Sequence, residues 1–524
     1  PVPGPLRAAT LAGLLLAALV AGIAYLFAAV PGGFVPEEDQ GYILAGLIMP
    51  EGASLQRTDR IMKQMEAIIA GYDGIQNSTA ISGYSLLSST LQPNAGAIFL
   101  QLKDWDERSG SGQHARDIVR RLNADFATRI TGGIGYAFGP PGIPGLGTGS
   151  GFTLMLQDRG GNTPDYLAAE TGKFIEAAMA RPEIASALTV FRPNSPQIFL
   201  GIDDAKALKL GVSLADVNTS VGAFLGGAYV NDFNRFGRLY KVYVQAEPEY
   251  RANIDGVRMF YVRNNEGEMV PLSTLVDTHQ AQGPEFTNRF NLFRSAKITG
   301  QAAPGYSSAQ AIDALEAVAA EVLPGDMSYA WADMSYQEKE AQGTGSIVFI
   351  MALVFVFLIL AAQYESWSLP LSVLLGTPIA VFGAMGGLYV ARLFSESYVN
   401  NVFAQIGLVM LIGLAAKNAI LIVEFAKAES EKGRDVIDAA KEAARLRFRP
   451  ILMTAFSFIL GVLPLLIASG AGAEARIVMG MTVFSGMLVA TVVGVLIVPA
   501  CYVFVERYIS RGRRTPHAAA PEET

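Results

Sequence analysis

Two patterns alternate along this chain. Long apolar runs lie at its two ends, and between them apolar positions recur at strand or amphipathic-helix spacing. Residues 8–30 form the first run, preceded by Arg7. A secretory signal has a shorter apolar core, about 7–15 residues, so with further spans downstream residues 1–30 read as a retained transmembrane helix. Beyond residue 340 the runs 346–362, 371–390, 405–425, 450–468 and 478–505 each approach the roughly 20 residues that cross a bilayer. The pattern therefore predicts one helix, a large region over 31–340, five helices within 341–508 and a tail over 509–524.

Inside the large region, 41–50 reads as a strand and 54–70 as a helix with Ile61, Met65 and Ile68 on one face. A strand pair including 97–105, a helix over 115–130 and a strand over 133–138 follow. The cycle recurs at 151–158, a helix through Met179 and 187–191, and again at 296–301, 307–322 and 327–331. Such β-α-β pieces predict several small α+β subdomains of ferredoxin-like kind. An insertion over about 197–285 stands apart, with strands at 197–202 and 240–245, a helix at 214–225 and the hairpin-like GGAYVNDFNRFGRLYKVYV. Its aromatics and mixed charges fit either a docking surface or an ordinary solvated hairpin.

Composition narrows the chemistry. Half of the 524 residues are apolar and 17% are charged, the balance of a membrane protein with a substantial soluble part. A net charge of −7 without clusters gives no support for nucleic-acid binding. One cysteine, Cys501, excludes an intrachain disulfide, and three histidines without a Cys/His cluster make no metal site. No GxSxG, Walker A or HExxH motif is present, so an enzyme reading finds no support. Asp203 and Asp204 most simply cap the following helix. The glycine-rich stretch 139–151 lacks the Lys-Ser/Thr of a phosphate loop and reads as a flexible loop. No cofactor is expected; transport here would need an ion gradient or another subunit. The chain starts with Pro1, as though part-way through a longer protein.

Orientation follows from basic residues. Lys427, Lys432, Arg434, Lys441, Arg445, Arg447 and Arg449 crowd one loop, and Arg507, Arg511, Arg513 and Arg514 the tail. Cytoplasmic loops carry such an excess, which puts the large region outside the cytoplasmic membrane.

The run 405–425 holds the sharpest anomaly, Lys417 and Asn418 near mid-span, among the small residues Gly413, Ala415, Ala416 and Ala419. A lysine at the bilayer centre costs roughly 2.5–3.5 kcal/mol on insertion scales, while small neighbours let another helix approach closely. Lys417 should face a bundle and meet an anion, either as a fixed ion pair or as a charge that moves protons or ions. Glu424 is roughly 10 Å further along the same helix, and no other predicted span offers a buried Asp or Glu. The counter-charge is expected in a segment outside this chain. Arg447 and Thr454 fall two turns apart on one helix face. Arg447 is either a positive-inside anchor or part of a proton exit, with Thr454 exchanging hydrogen bonds deeper in. Tyr84, Leu86, Phe99, Tyr136 and Phe138 are core residues taken singly, or a substrate pocket if they converge.

The motifs AAKNAILIVEFA (415–426), RLRFRPILMTA (445–455), ADMSYQE (332–338), AAQYESWSLP (361–370), YVNDF (229–233) and LKDW (102–105) resemble those of the resistance-nodulation-division exporters, closest to the hydrophobe/amphiphile multidrug efflux pumps. The resemblance covers the whole chain but only the second half of such a pump. It implies a polytopic α-helical membrane protein whose large periplasmic α+β region comprises ferredoxin-like porter subdomains and a docking subdomain at about 197–285. It further implies a homotrimeric drug/proton antiporter of the bacterial inner membrane, working with a periplasmic adaptor and an outer-membrane channel on small hydrophobic or amphiphilic compounds. Lys417 matches the lysine that pairs with two aspartates of the N-terminal half; Asn418, Arg447 and Thr454 complete the implied proton relay. Tyr84 and Leu86 fall on the loop (82–96) between the implied drug pockets, with Leu86 where an aromatic is usual. Phe99, Tyr136 and Phe138 match pocket walls and Arg192 an entrance position. A heavy-metal exporter of the same superfamily, a translocation accessory subunit and a non-transporting sensor are the rival readings.

Overall fold

The computed structural model describes residues 5–110 and 112–508; Pro1 and the tail 509–524 with Arg511, Arg513 and Arg514 lie outside the described residues. The chain forms two compact units. The first holds residues up to Asn162, Ala169–Val190 and those from Asn288 onward; the second holds Thr163–Ala168 and Phe191–Thr287.

Helix α1 (Pro5–Ala29) leads through an irregular segment into β1 (Tyr42–Ile48), α2 (Leu55–Ile69), β2 (Ile75–Ser85), β3 (Thr90–Leu102), α3 (Ala115–Arg129) and β4 (Ile134–Phe138). The antiparallel sheet runs β2-β3-β1-β4, the strand order of a split β-α-β unit. Alternation gives this sheet two faces. Ile43, Ala45 and Leu47 of β1 and Ile98, Leu100 and Leu102 of β3 pack against Met62, Met65 and Ile69 of α2 and Ile118, Leu122 and Phe126 of α3. Ser54 starts α2 by accepting the Arg57 N–H. Residues 82–96, expected as a loop, instead extend the β2–β3 hairpin, with Ser85 paired to Thr90 and an irregularity between Ser82 and Tyr84. Gly83, at φ +91°, supplies the left-handed residue there.

The pattern repeats with β5 (Phe152–Asp158), α4 (Pro164–Met179) and β6 (Ile184–Thr189). The chain then builds β7 (Ser195–Ile202), α5 (Asp204–Lys209), α6 (Leu214–Val221), β8 (Ala228–Arg235), β9 (Arg238–Val244), α7 (Pro248–Arg251), β10 (Tyr261–Arg263), β11 (Met269–Pro271), α8 (Leu272–Leu275) and β12 (Val276–Gly283). These lie in the second unit, around a core of Val217, Val257, Phe260, Leu272 and Leu275. Its β8–β9 hairpin exposes Tyr229, Phe233, Phe236, Tyr240 and Tyr243. The helix expected over 214–225 gives way after Val221 to a wide turn at Gly222–Gly226, where glycine weakens the helix. Asp203 caps α5 by accepting the Lys206 N–H.

Back in the first unit, β13 (Asn288–Phe290), β14 (Phe293–Ala302), α9 (Ser308–Val322), β15 (Met327–Trp331) and α10 (Asp333–Ala341) complete the second sheet. Its order is β13-β14-β5-β15, with β6 also on β14. Strands β5, β6, β14 and β15 thus repeat the positions of β1, β2, β3 and β4.

Helices α11 (Thr344–Tyr364), α12 (Leu369–Leu374), α13 (Thr377–Arg392), α14 (Val402–Glu431), α15 (Val436–Leu466) and α16 (Ala473–Tyr508) follow. Among the described residues, five helical stretches are long and apolar enough to cross a membrane. The run expected over 371–390 is broken at Leu375–Gly376, because Pro378 at the next helix start cannot donate the backbone hydrogen bond that continuity needs. The run expected to begin at Pro450 instead lies inside one 31-residue helix. Asp435 caps that helix, and buried Ala439, Ala440 and Ala443 pack its first half, which carries it through the proline. Helix α16 is the hub, touching α12, α13, α14 and α15. Its Thr482 and Thr491 hydroxyls donate to the Val478 and Met487 carbonyls, so neither is left unsatisfied in an apolar setting.

One buried ion pair ties the segment before β1 to the segment after β3. Arg108 Nη1 and Nη2 donate to Asp39 at 2.8 and 3.1 Å, with the two side chains 1% and 7% exposed. Burial by itself would raise the Asp39 carboxyl, but the Arg108 guanidinium and the Gly41 and Ala115 N–H groups outweigh it and hold the carboxyl below its usual range. Stability from this group is therefore present above the unfolded carboxylate pKa and is lost as pH falls through the depressed folded value. Asp39→Asn should cost about 3–5 kcal/mol, since it leaves a buried guanidinium without its anion. Thermal unfolding of the full-length protein checks this; an unchanged Tm would show the pair to be dispensable.

Candidate functional site

Lys417 lies on an exposed strip of α14, with exposed Met410 and Gly413 two turns and one turn before it. Its ammonium sits over the Phe458 ring of α15, 5.1 Å from the centroid. A cation–π contact of this kind stabilises by about 0.5–2 kcal/mol, too little to replace an anion at mid-span. Among the described residues no carboxylate stands within 4.0 Å of this ammonium. Helices α15 and α11 bury few of their own residues, whereas α14 is largely buried apart from this strip.

Thr454 lies one turn from Phe458 on α15, and its hydroxyl donates to the Ile451 carbonyl at 3.1 Å. Arg447, two turns further, places its guanidinium 4.4 Å from the Phe425 centroid, and its buried Nε has no hydrogen-bond partner among the described residues. Lys417, Arg447 and Thr454 are thus distributed along the α14–α15 seam. Asn418 is not with them. One residue on is about 100° around a helix, and Asn418 is buried on the inner side beside Ala415 and Ala419, its Nδ2 unpartnered among the described residues.

A second grouping forms on the face of the first sheet away from α2 and α3. Leu44, Leu86, Leu87, Ala97, Tyr136 and Phe138 pack together, with Tyr84, Leu188 and Val190 beside them. The Tyr136 and Phe138 rings stack 5.8 Å apart and 4° from parallel. Burial pushes the Tyr136 hydroxyl well above the usual phenol range, so it stays a neutral donor. Phe99 shares this face, since Leu44 pairs with both Phe99 and Phe138, yet it stands 39% exposed outside the packed group. Four of the predicted pocket residues therefore converge and Phe99 remains at the margin. Arg192 is half-buried in the second unit, just before β7.

Beside this group lies a cleft of about 560 Å³ between the two sheets of the first unit, reached by Tyr136, Phe138, Leu188, Ser308 and Glu338. Glu338, on α10, is buried and accepts the Ser308 hydroxyl at 2.7 Å. Burial pushes its carboxyl up to about 6, with Asp313 acting the same way and the Ser308 hydroxyl and Lys339 opposing.

Sequence reading missed several contributors. Gly46 and Gly149 clear space for rings, because a Cβ at either would collide with Tyr136 or Phe138 respectively. Phe425 and Phe458 carry the cation contacts, and Leu188 comes from the second sheet. No local signal marks these residues; each depends on which strand or helix lies opposite.

Apolar membrane-length helices with a mid-span lysine, carrying two split β-α-β sheets with a cleft between them, define the class of resistance-nodulation-division permeases. The chain belongs to the AcrB/AcrD/AcrF family, whose profile matches residues 3–506. It is 41% identical over 498 residues to the toluene efflux pump membrane transporter TtgB of Pseudomonas putida, covering 94% of this chain and 46% of that protein. It is 40% identical over 501 residues to the multidrug export protein AcrF of Escherichia coli, covering 94% and 47%. The multidrug resistance protein MdtF of the same organism is 38% identical over 503 residues, covering 95% and 47%. The chain spans about half the length of the curated relatives it matches.

Glu338 offers a pH test of the cleft. Its folded pKa is raised, so relative to Glu338→Gln the wild type has its full stability below about pH 4.5 and loses it as pH rises through about 6. The loss is about 2 kcal/mol. The Tm difference between the two proteins, followed from pH 4 to 8, should grow in favour of Glu338→Gln; a flat difference would mean the carboxyl is not desolvated.

Proposed function

We propose that this chain forms the C-terminal half of an inner-membrane exporter that uses the proton gradient to expel hydrophobic and amphiphilic compounds. The observation that carries the reading is Lys417, a mid-span cation on an open face of α14 with no carboxylate in reach among the described residues. An uncompensated intramembrane charge marks an ion pathway. The acidic partner is assigned to the part of the protein outside this chain, in keeping with relatives about twice as long. Protonation of that acid would release Lys417, and helices packed on α14 would shift between two arrangements. Arg447 and Thr454, along the α14–α15 seam, form the cytoplasmic side of the path; Asn418 acts from the buried side of α14.

The substrate class follows from two supports. The relatives are named for toluene, solvent and multidrug export. The stacked Tyr136–Phe138 pair, with Leu86, Leu188 and Tyr84, offers an apolar wall beside an open cleft. Such a wall binds by area rather than by hydrogen-bond pattern and so tolerates varied shapes. Phe99 lines its margin; Arg192, in the second unit, matches the entrance position that the family resemblance implies. The basic residues after α14 and within α15 orient the helices so that both sheets are periplasmic porter subdomains and the second unit docks. A homotrimer, a periplasmic adaptor and an outer-membrane channel complete the assembly.

Lys417→Ala in the full-length protein should reduce export to the level of cells lacking the pump, with expression and assembly intact. Normal drug resistance at matched protein level would defeat the relay. Phe138→Ala should shift relative export of different substrates by about tenfold, the range of apolar pocket contacts. Equal loss for every substrate would indicate damage to folding instead.

A further inference from the structure

The segment after α1 carries two consecutive carboxylates whose partners belong to different parts of the first unit. Asp39 is enclosed on the sheet side: besides Arg108, it accepts the Gly41 N–H at 3.1 Å and the Ala115 N–H at 3.2 Å, and the Trp105 indole donates to its carbonyl at 3.0 Å. Glu38 faces the helices. It accepts the Glu474 and Ala475 backbone N–H groups at 3.2 and 2.8 Å, in the first turn of the 36-residue α16. Those are donors that a helix start cannot satisfy internally, and the helix dipole favours an anion there.

Neighbouring contacts run between the same parts. His114, which caps α3, stands 3.7 Å from Glu474. Arg116 of α3 donates to the Ser397 hydroxyl, between α13 and α14, at 3.2 Å and lies 3.9 Å from Glu37. The sheet with α2 and α3 has its own apolar core, and so do α13, α14 and α16. Polar contacts to this short segment, with His114–Glu474 and Arg116–Ser397 beside it, therefore join two bodies that each have an apolar core of their own.

We propose that Glu38 and Asp39 act as a rigid joint through which displacement of α16 is delivered to the first sheet. Successive Cα atoms are fixed about 3.8 Å apart, so an anchor on α16 and an adjacent anchor buried on Arg108 cannot separate unless one lets go. Helix α16 packs on α14, which carries Lys417, and the first sheet carries Tyr136 and Phe138. The joint connects the helices that carry Lys417 to the sheet that carries the aromatic wall through two hydrogen-bonded anchors on adjacent residues. Glu38 is a positioning residue here, acting on substrate only through the sheet. The inference rests on the transport reading above.

The test uses the full-length protein. Glu38→Ala should keep its expression level, Tm and affinity for a fluorescent substrate while export falls at least tenfold. Glu38→Gln, whose amide oxygen can still accept from one of the two N–H groups, should recover part of the loss. Normal export by Glu38→Ala would overturn the joint. The second arm places cysteines by Glu38→Cys and Ala475→Cys in a Cys501→Ser background and bridges them with a short bifunctional thiol reagent. Export should be impaired before bridging and restored after it; an impaired protein that bridging leaves impaired would overturn the joint equally. Failure of the proton relay appears separately, as normal export by Lys417→Ala.

Discussion

An ammonium group held inside an apolar span is the constraint on which the helical part of this protein depends. Removing Lys417 from water costs several kcal/mol, and the ring of Phe458 returns only a fraction of that. The surroundings of α14 reflect the imbalance. On its inner side the helix is closed by α16, where Gly407 approaches Thr482 and Gly486 admits Leu411. On the side of Lys417 nothing among the described residues comes close enough to supply charge. Helix α14 is thus sealed by packing on one side and carries a cation without a nearby anion on the other.

The soluble part answers to a different rule. Period-two alternation gives each strand of the first sheet two unlike faces. One face, with Ile43, Leu47, Ile98 and Leu100, is sealed by α2 and α3. The other collects Leu44, Ala97, Tyr136 and Phe138 beside the cleft. The same strand thus faces a sealed core on one side and the cleft on the other. Gly46 shows the coupling: it sits in the middle of β1, where a side chain would strengthen the strand, and its missing Cβ is what lets the Tyr136 ring lie across the sheet.

Departures from the sequence-level expectation have local causes. Helix α15 runs through Pro450 because its first half is capped by Asp435 and packed through Ala440 and Ala443, which outweighs one lost hydrogen bond. The 371–390 span breaks at Leu375–Gly376, just before Pro378, although residues on both sides of the break are buried. The 82–96 stretch pairs as a hairpin because Gly83 supplies a left-handed residue that lets the register recover after an irregularity. Phe99 has the correct strand parity for the wall yet stays exposed, since parity selects a face and not a neighbour.

By itself the sequence determined the order and approximate position of most helices and strands, and that Lys417 is a charge out of place. These follow from periodicity and from the cost of a charge in hydrocarbon, both local properties. Tertiary structure decided the rest. It separated Lys417 from Asn418 around the helix, set Phe458 and Phe425 under the two cations, cleared the rings with Gly46 and Gly149, and turned Glu38 and Asp39 toward different bodies. Each of these depends on a partner distant in the chain, and the identity of that partner is fixed only when packing selects which surfaces meet.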